Sequence, residues 1–217
     1  MPLNRAVPEP TIARLALYLR SLRLAQVEGL ETLSSADIEA RTGISSGQVR
    51  KDLSYFGEFG KPGLGYAVTP LADRIAHIMR LDRNQPVMIV GAGNLGTALA
   101  GYTGLRESGF QLVAVYDNNF SKIDRRIWDL EILDIERMPE INAGMGVEIG
   151  IITTPAPSAQ LVADQMVKSG VRAILNFAPT RVSVPRDVAV RNVDLTQELQ
   201  ILCYYLPPSA PAEQAEA

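Results

Sequence analysis

The chain is poor in the residues from which catalytic and metal centres are usually built. One cysteine, Cys203, and one histidine, His77, occur in 217 residues. A lone cysteine closes no intrachain disulfide, and a cysteine-based zinc site needs several, so neither a staple nor a structural metal is expected. No stretch reaches the roughly 18 apolar residues of a membrane helix. Met1 to Pro10 lack the basic-then-apolar order of a secretory signal. These absences lead us to expect a cytoplasmic protein without membrane or metal partners. A strong excess of one charge is missing too, the net being −3. The distribution is uneven, however. Residues 1–83 carry 11 Lys+Arg against 9 Asp+Glu and residues 84–217 carry 10 against 15, so +2 and −5 make up the −3. The small basic excess thus lies in the first third, where a surface for nucleic acid can be concentrated. With 47% hydrophobic residues the chain can pack a core, as one large domain or two modest ones.

The first third reads as a winged helix-turn-helix unit. Ile12, Leu15, Leu19 and Leu22 recur at helical spacing from Thr11 to about Gln26, with Pro10 in the first turn, where no backbone N–H is needed. Ser35–Thr42 reads as a short helix that Ser34 or Ser35 caps and Gly43 ends. A third helix follows from Ser46 to about Phe56. Two short helices across a tight glycine turn make a helix-turn-helix. On the third helix Val49, Leu53 and Phe56 are expected to face inward. Ser46, Gln48, Arg50, Lys51, Ser54 and Tyr55 remain to meet bases and phosphates. The glycine-rich stretch from Gly57 to Tyr66 reads as a β-hairpin wing with Lys61 near its tip. A helix capped by Thr69, running from Pro70 to about Arg80, closes the unit, and Leu81 to Pro86 serves as linker.

From there strands and helices alternate, as a parallel α/β sheet requires. Val87–Val90 leads into Gly91-Ala92-Gly93-Asn94-Leu95-Gly96, and residues 94–107 read as one helix. Strands are expected at Phe110–Tyr116, Leu130–Ile135, Val147–Thr153, Val171–Asn176 and Val188–Val193, with a helix over Ser158–Ser169. A last helix spans Asp194–Leu206. The hexamer G-x-G-x-x-G is weak evidence by itself. Between a buried strand and a helix it marks a dinucleotide site. Gly91 permits the turn, Gly93 lets backbone approach a pyrophosphate, and Gly96 lets helix and strand close up. The helix start offers free N–H groups to phosphate. Asp117 ends the second strand 21 residues after Gly96. A carboxylate there accepts from the adenosine ribose hydroxyls and repels a 2′-phosphate, favouring NADH and NAD⁺ over their 2′-phosphorylated forms. Thr153-Thr154-Pro155 and Asn176-Phe177-Ala178 close two later strands. Their strand ends would lie along the nicotinamide half.

A dehydrogenase needs a proton-exchanging group and a substrate pocket. His77 precedes the nucleotide fold, Cys203 reads as a buried apolar residue of the last helix, and the roughly 130 residues after the linker are taken up by that fold. No catalytic residue is therefore assigned, and a small NAD-dependent oxidoreductase is the alternative.

The run from Gln48 to Gly57 (QVRKDLSYFG), together with Gly63-Leu64-Gly65-Tyr66, Asn176-Phe177-Ala178-Pro179 and Val193-Asp194-Leu195, resembles the Rex family of bacterial redox-sensing repressors from about Thr11 to Leu206. The resemblance implies a fold of class α/β. A winged helix-turn-helix domain (1–83) precedes a Rossmann NAD(H)-binding domain (84–193). A C-terminal helix (194–206) is exchanged between the subunits of a homodimer, and a disordered tail (207–217) follows. It implies palindromic operator DNA as partner and NADH as the signal that releases it. It also implies a polar cluster of Arg20, Tyr102 and Asp194 as the switch between cofactor and DNA domains. Two positions depart from the family pattern. Lys61-Pro62 replaces a wing that often carries its basic residue second, and Leu195 stands where an aromatic sometimes follows the last-helix Asp.

Overall fold

The structure is a computed structural model that describes residues 7–61 and 64–207, with the backbone alone at Lys61. The chain forms two compact units, Met1–Arg83 and Asn84–Ala217.

In the first unit the element order is α1 (Glu9–Val27), β1 (Thr32–Leu33), α2 (Ser35–Thr42), α3 (Ser46–Ser54), β2 (Gly60–Lys61), β3 (Gly65–Ala67) and α4 (Val68–Ile78). A Ser34–Asp37 capping box opens α2, and Gly43 closes it in the left-handed conformation at φ 72°. Ser45 caps α3 two residues later. The three short strands lie in the order β1-β3-β2, all pairs antiparallel. The core joins Leu15, Tyr18 and Leu22 of α1, Ile38 of α2, Val49 and Leu53 of α3, and Val68 and Ile75 of α4.

Three expectations are corrected here. The inward face of α1 is rotated: Ile12 is 41% exposed, while Thr11 and Tyr18 are buried, because both turn their hydroxyls to Asp52. Thr69 caps nothing. Ala67 precedes the first turn of α4, which starts early enough to bury Val68, and Thr69 Oγ1 accepts from Gln26 Nε2 at 3.1 Å. The third helix ends at Ser54, with Tyr55 as its cap.

The second unit holds β4 (Gln85–Val90), α5 (Asn94–Ala100), α6 (Thr103–Glu107), β5 (Phe110–Asp117), β6 (Arg126–Ile127), β7 (Leu130–Asp134), a 3-10 turn (Ile135–Arg137), α7 (Met138–Met145), β8 (Ile149–Ile152), α8 (Ala156–Lys168), β9 (Ala173–Asn176), β10 (Ala189–Asn192) and α9 (Leu195–Cys203). Its sheet runs β10-β9-β8-β4-β5-β7-β6. All neighbours are parallel except β6 and β7. Leaving aside the β6 edge, this is the doubly wound order that reverses between β4 and β8. Successive residues of a strand face opposite sides. Met88 and Val90 pack with Tyr116, Ile152, Met138 and the α8 residues Ala159 to Met166. Ile89, Val115 and Ile151 pack on the other side, towards Leu99 and Ala100 of α5.

The single helix expected over 94–107 is broken. Gly101 ends α5, and a Cβ there would stand 2.5 Å from the indole of Trp128. Trp128 itself sits at φ 52° in the hairpin turn between β6 and β7. That hairpin and α7, which Gly146 ends at φ 64°, were not foreseen. The linker is shorter than read, since Gln85 already pairs with Phe110. Four strands and α9 are also trimmed at their ends. Cys203 is exposed rather than buried. The tail beyond residue 207 lies outside the described residues.

Candidate functional site

The strand order reverses where β4 and β8 end, and there the backbone is locked tightly. Gly91 stands at φ 110°, where L side chains are strained, and a Cβ on it would meet the Thr153 carbonyl carbon at 2.9 Å. A Cβ on Gly96 would fall 1.9 Å from the Gly91 oxygen, so α5 can approach the loop only with glycine there. Thr153 Oγ1 fastens the two strand ends, donating to Gly91 O at 2.8 Å and to Val90 O at 3.1 Å. A Cβ on Gly93, by contrast, would meet nothing within 4 Å. No side chain caps α5. The first-turn amides of Asn94, Leu95 and Gly96 are therefore of the kind that hold phosphate.

Asp117 lies at the end of β5, only 6% exposed. Its Oδ2 accepts from the Ala92 amide at 2.8 Å and from Lys122 Nζ at 3.0 Å, and its Oδ1 from the Asn119 amide at 2.8 Å. Burial would raise this carboxyl; the Asn119 amide, the Lys122 ammonium and the Ala92 amide outweigh it and hold the group below its ordinary value. The glycine loop and the acid are thus one hydrogen-bonded unit. Oδ1 accepts one amide and retains further acceptor capacity. Lys122 escaped the sequence reading. Its signal is a lysine five residues after the acid, legible only once the Asn119–Lys122 turn is known to fold back.

The two later strand ends differ from expectation in detail. Thr153 is engaged by the glycine loop, and Pro155 precedes α8 as its cap. Thr154 Oγ1 is buried with no hydrogen-bond partner among the described residues. Asn176 is fully buried. Its Nδ2 donates to Thr180 O at 2.7 Å and Asn192 Oδ1 at 2.9 Å, and its Oδ1 accepts from the Ala178 amide at 3.0 Å. Its side chain therefore ties the β9 exit to β10, while Ala178 joins the core on one face of the sheet and Phe177 packs against the cluster on the other.

In the first unit, α3 presents its polar residues unequally. Arg50, Lys51, Ser54 and Tyr55 are exposed. Arg50 Nη1 donates to Ser35 Oγ at 2.8 Å, and Ser54 Oγ to Lys51 O at 2.7 Å. The Ser46 amide and hydroxyl both donate to Glu39 Oε2, the amide at 2.9 Å. Gln48 is half-buried and bonded to Asp52. The sequence reading missed Asp52 altogether: it is buried and paired with Arg14, its Nε 2.5 Å from Oδ2. The side chain of Lys61 and the whole of Pro62 lie outside the described residues.

Of the remaining expected residues, Arg20 is exposed on α1 and Tyr102 is 61% exposed before α6. Asp194 caps α9, accepting from the Thr196 and Gln197 amides at 2.9 and 3.2 Å. The helix it starts buries none of its residues: Leu195, Leu199, Leu202 and, beyond it, Leu206 are each about 60% exposed or more. Among the described residues no three His, Cys, Asp or Glu side chains cluster as metal ligands would. No helix among them is long and apolar enough to cross a membrane.

A helix-turn-helix with a wing, followed in one chain by a dinucleotide-binding sheet, is the plan of a nucleotide-responsive transcription regulator. Comparison with known proteins narrows this. The family described as putative DNA-binding protein N-terminus matches residues 6–54, and that described as CoA binding domain matches residues 82–180. The redox-sensing transcriptional repressor Rex of Pelotomaculum thermopropionicum is 50% identical over 200 residues, 92% of this chain and 94% of that one. Among solved structures, RSP in complex with β-NAD⁺ and operator DNA superposes with a TM-score of 0.86 at 37% identity, covering 92% of each chain. RSP in complex with β-NADH gives 0.82 at 35%, covering 92% and 93%. The chain belongs to the Rex family of redox-sensing transcriptional repressors.

Proposed function

We propose that the protein is a repressor that holds operator DNA when NADH is scarce and lets it go when NADH binds. The observation that carries this reading is the hydrogen-bonded unit of the glycine loop, Ala92 and Asp117, set where the strand order reverses. It is joined in one chain to a helix-turn-helix. Relatives solved with β-NAD⁺ and operator DNA, and with β-NADH, support it.

In this reading Gly91, Ala92, Gly93, Asn94, Leu95 and Gly96 hold the pyrophosphate. Asp117 holds the adenosine ribose. Thr154 leads Thr153, Pro155, Asn176, Phe177 and Ala178 around the nicotinamide. CoA, which carries a phosphate on its ribose, meets the buried carboxylate of Asp117 and is disfavoured. Arg50 and Lys51 approach the major groove with Ser46, Gln48, Ser54 and Tyr55, and Lys61 approaches the minor groove from the wing. The uncovered apolar stripe of α9 is buried in a homodimer, so that two α3 helices meet a palindrome. Arg20, Tyr102 and Asp194 carry the switch. NADH shifts the equilibrium only to the extent that it favours the arrangement that cannot hold DNA. A coupling of about 1–3 kcal/mol changes operator affinity roughly 5- to 150-fold. No group here is assigned to catalysis, and a DNA target supports a cytoplasmic location. An oxidoreductase would instead turn over NADH with a carbonyl substrate.

A gel-shift titration tests this. A duplex shifted by the protein should be released by NADH at concentrations at which NAD⁺ and NADPH leave it bound. A shift indifferent to all three nucleotides overturns the reading.

A further inference from the structure

The buried carboxylate of Asp52 accepts five hydrogen bonds from described residues of the first unit. Its Oδ1 accepts from Thr11 Oγ1 at 3.1 Å, Arg14 Nη2 at 2.8 Å and Gln48 Nε2 at 2.7 Å. Its Oδ2 accepts from Arg14 Nε at 2.5 Å and Tyr18 Oη at 2.8 Å. Four of these bonds come from α1 and cross to α3. They would suffice to fasten the two helices. The fifth stays on α3 and joins Gln48 to Asp52 one turn on, and it has a separate consequence.

An amide has two ends that differ only in being donor or acceptor, and a solvated glutamine presents either. An ionised carboxylate accepts and never donates. With every neighbour of Asp52 a donor and Arg14 balancing its charge, the group remains ionised. Gln48 can therefore turn only its nitrogen inward. The carbonyl and the second N–H are left as an edge of fixed order, acceptor beside donor. That order is the complement of the N6 donor and N7 acceptor that adenine shows in the major groove. Gln48 is only half-buried, so part of it stays open to solvent.

We propose that Asp52 is a positioning residue that presets the amide of Gln48, and that Gln48 so held is the residue of α3 that selects adenine in the operator. This rests on the DNA-binding reading above. It adds which base is read and which buried group makes the reading one-way. Arg14 and Tyr18 act through Asp52 and touch no base.

The test uses the full chain and double-stranded DNA selected by it from a randomised duplex library. The unsubstituted protein should enrich adenine at one position in each half-site. Gln48→Ala should lose that preference by about 5- to 150-fold, the range for a bidentate base contact, and keep the preferences at other positions. Asp52→Asn, close in shape but able to offer a donor, should lose the preference at the same position by a similar factor. Its far-UV circular dichroism and NADH affinity should stay as they were. The double variant should be no worse than Gln48→Ala. A role confined to fastening α1 to α3 would instead weaken all positions equally and add to the effect of Gln48→Ala. Either result, or retention of the adenine preference in Asp52→Asn, overturns the proposal. Gln48→Ala leaves the α1–α3 bonds in place and decides the matter if Asp52→Asn fails to fold: an unaltered base profile in it overturns the proposal alone. A library in which the unsubstituted protein enriches nothing overturns the DNA-binding reading itself, and this inference with it.

Discussion

At the scale of single residues, two buried aspartates carry most of the chemistry, and only one was legible. Asp117 could be read because its place is set by local order: a strand, a glycine loop and the end of the next strand. In the proposed reading its replacement by Ala removes the acceptor for ribose hydroxyls, and it leaves Lys122 without the Asp117 carboxylate. A charge-assisted hydrogen bond contributes about 1.5–3 kcal/mol, so Asp117→Ala should weaken NADH roughly 10- to 100-fold and narrow the gap between NADH and NADPH. Fluorescence titration with both nucleotides checks this, and unchanged discrimination would count against the ribose assignment. Asp52 was not legible, because it stands between Lys51 and Leu53 on a helix whose polar residues are expected outside. Its burial depends on Arg14 and Tyr18, which lie 38 and 34 residues away.

The same aspartate makes stability depend on pH. Burial would raise its carboxyl, but the bonds from Arg14, Tyr18, Gln48 and Thr11 hold it at about 2 against an ordinary 3.8. A folded-state value below the unfolded one stabilises fully above the unfolded value and is lost as pH falls through the folded one. The expected loss is about 2 kcal/mol between pH ~4 and pH ~2. Denaturant melts of the unsubstituted protein should show it and those of Asp52→Asn should not.

At the scale of elements, the glycine loop was legible and the helix after it was only half so. Gly96 is demanded by the Gly91 carbonyl inside the motif, which the hexamer itself encodes, whereas Gly91 is demanded by its φ of 110° and by Thr153 at the neighbouring strand end. Gly96→Ala puts a methyl group into the Gly91 carbonyl. Strand end and helix must separate, and NADH affinity should fall at least about 10-fold while the first unit keeps its own fold. An undiminished affinity in calorimetry would show that the loop does not hold the pyrophosphate. The break at Gly101 could not be read locally, because its cause is an indole from a hairpin some 27 residues on. The early start of α4 was hidden likewise: Thr69 looks like a cap, but packing of Val68 outweighs capping. Propensity yields to burial in both instances.

At the scale of the whole molecule, the order of domains followed from composition and motif, whereas quaternary structure cannot be read from periodicity. An apolar stripe at helical spacing looks the same whether its own chain covers it or a second copy does. In the structure Leu195, Leu199 and Leu202 are uncovered by their own chain. Leu199→Glu with Leu202→Glu should therefore turn the proposed dimer into monomers in sedimentation equilibrium. Affinity for a palindromic duplex should drop by 10-fold or more as two-point attachment is lost, with NADH affinity nearly unchanged. A dimer that survives both charges would place the interface elsewhere.

Trp128 is the only tryptophan of the chain, 68% exposed and resting against the last turn of α5. The protein thereby carries an optical probe beside the helix whose opposite end follows the glycine loop. Reduced nicotinamide absorbs where indole emits and the oxidised ring does not. Ultraviolet excitation should therefore give falling protein emission and rising nicotinamide emission with NADH alone, and the cofactor's redox state becomes visible without any label.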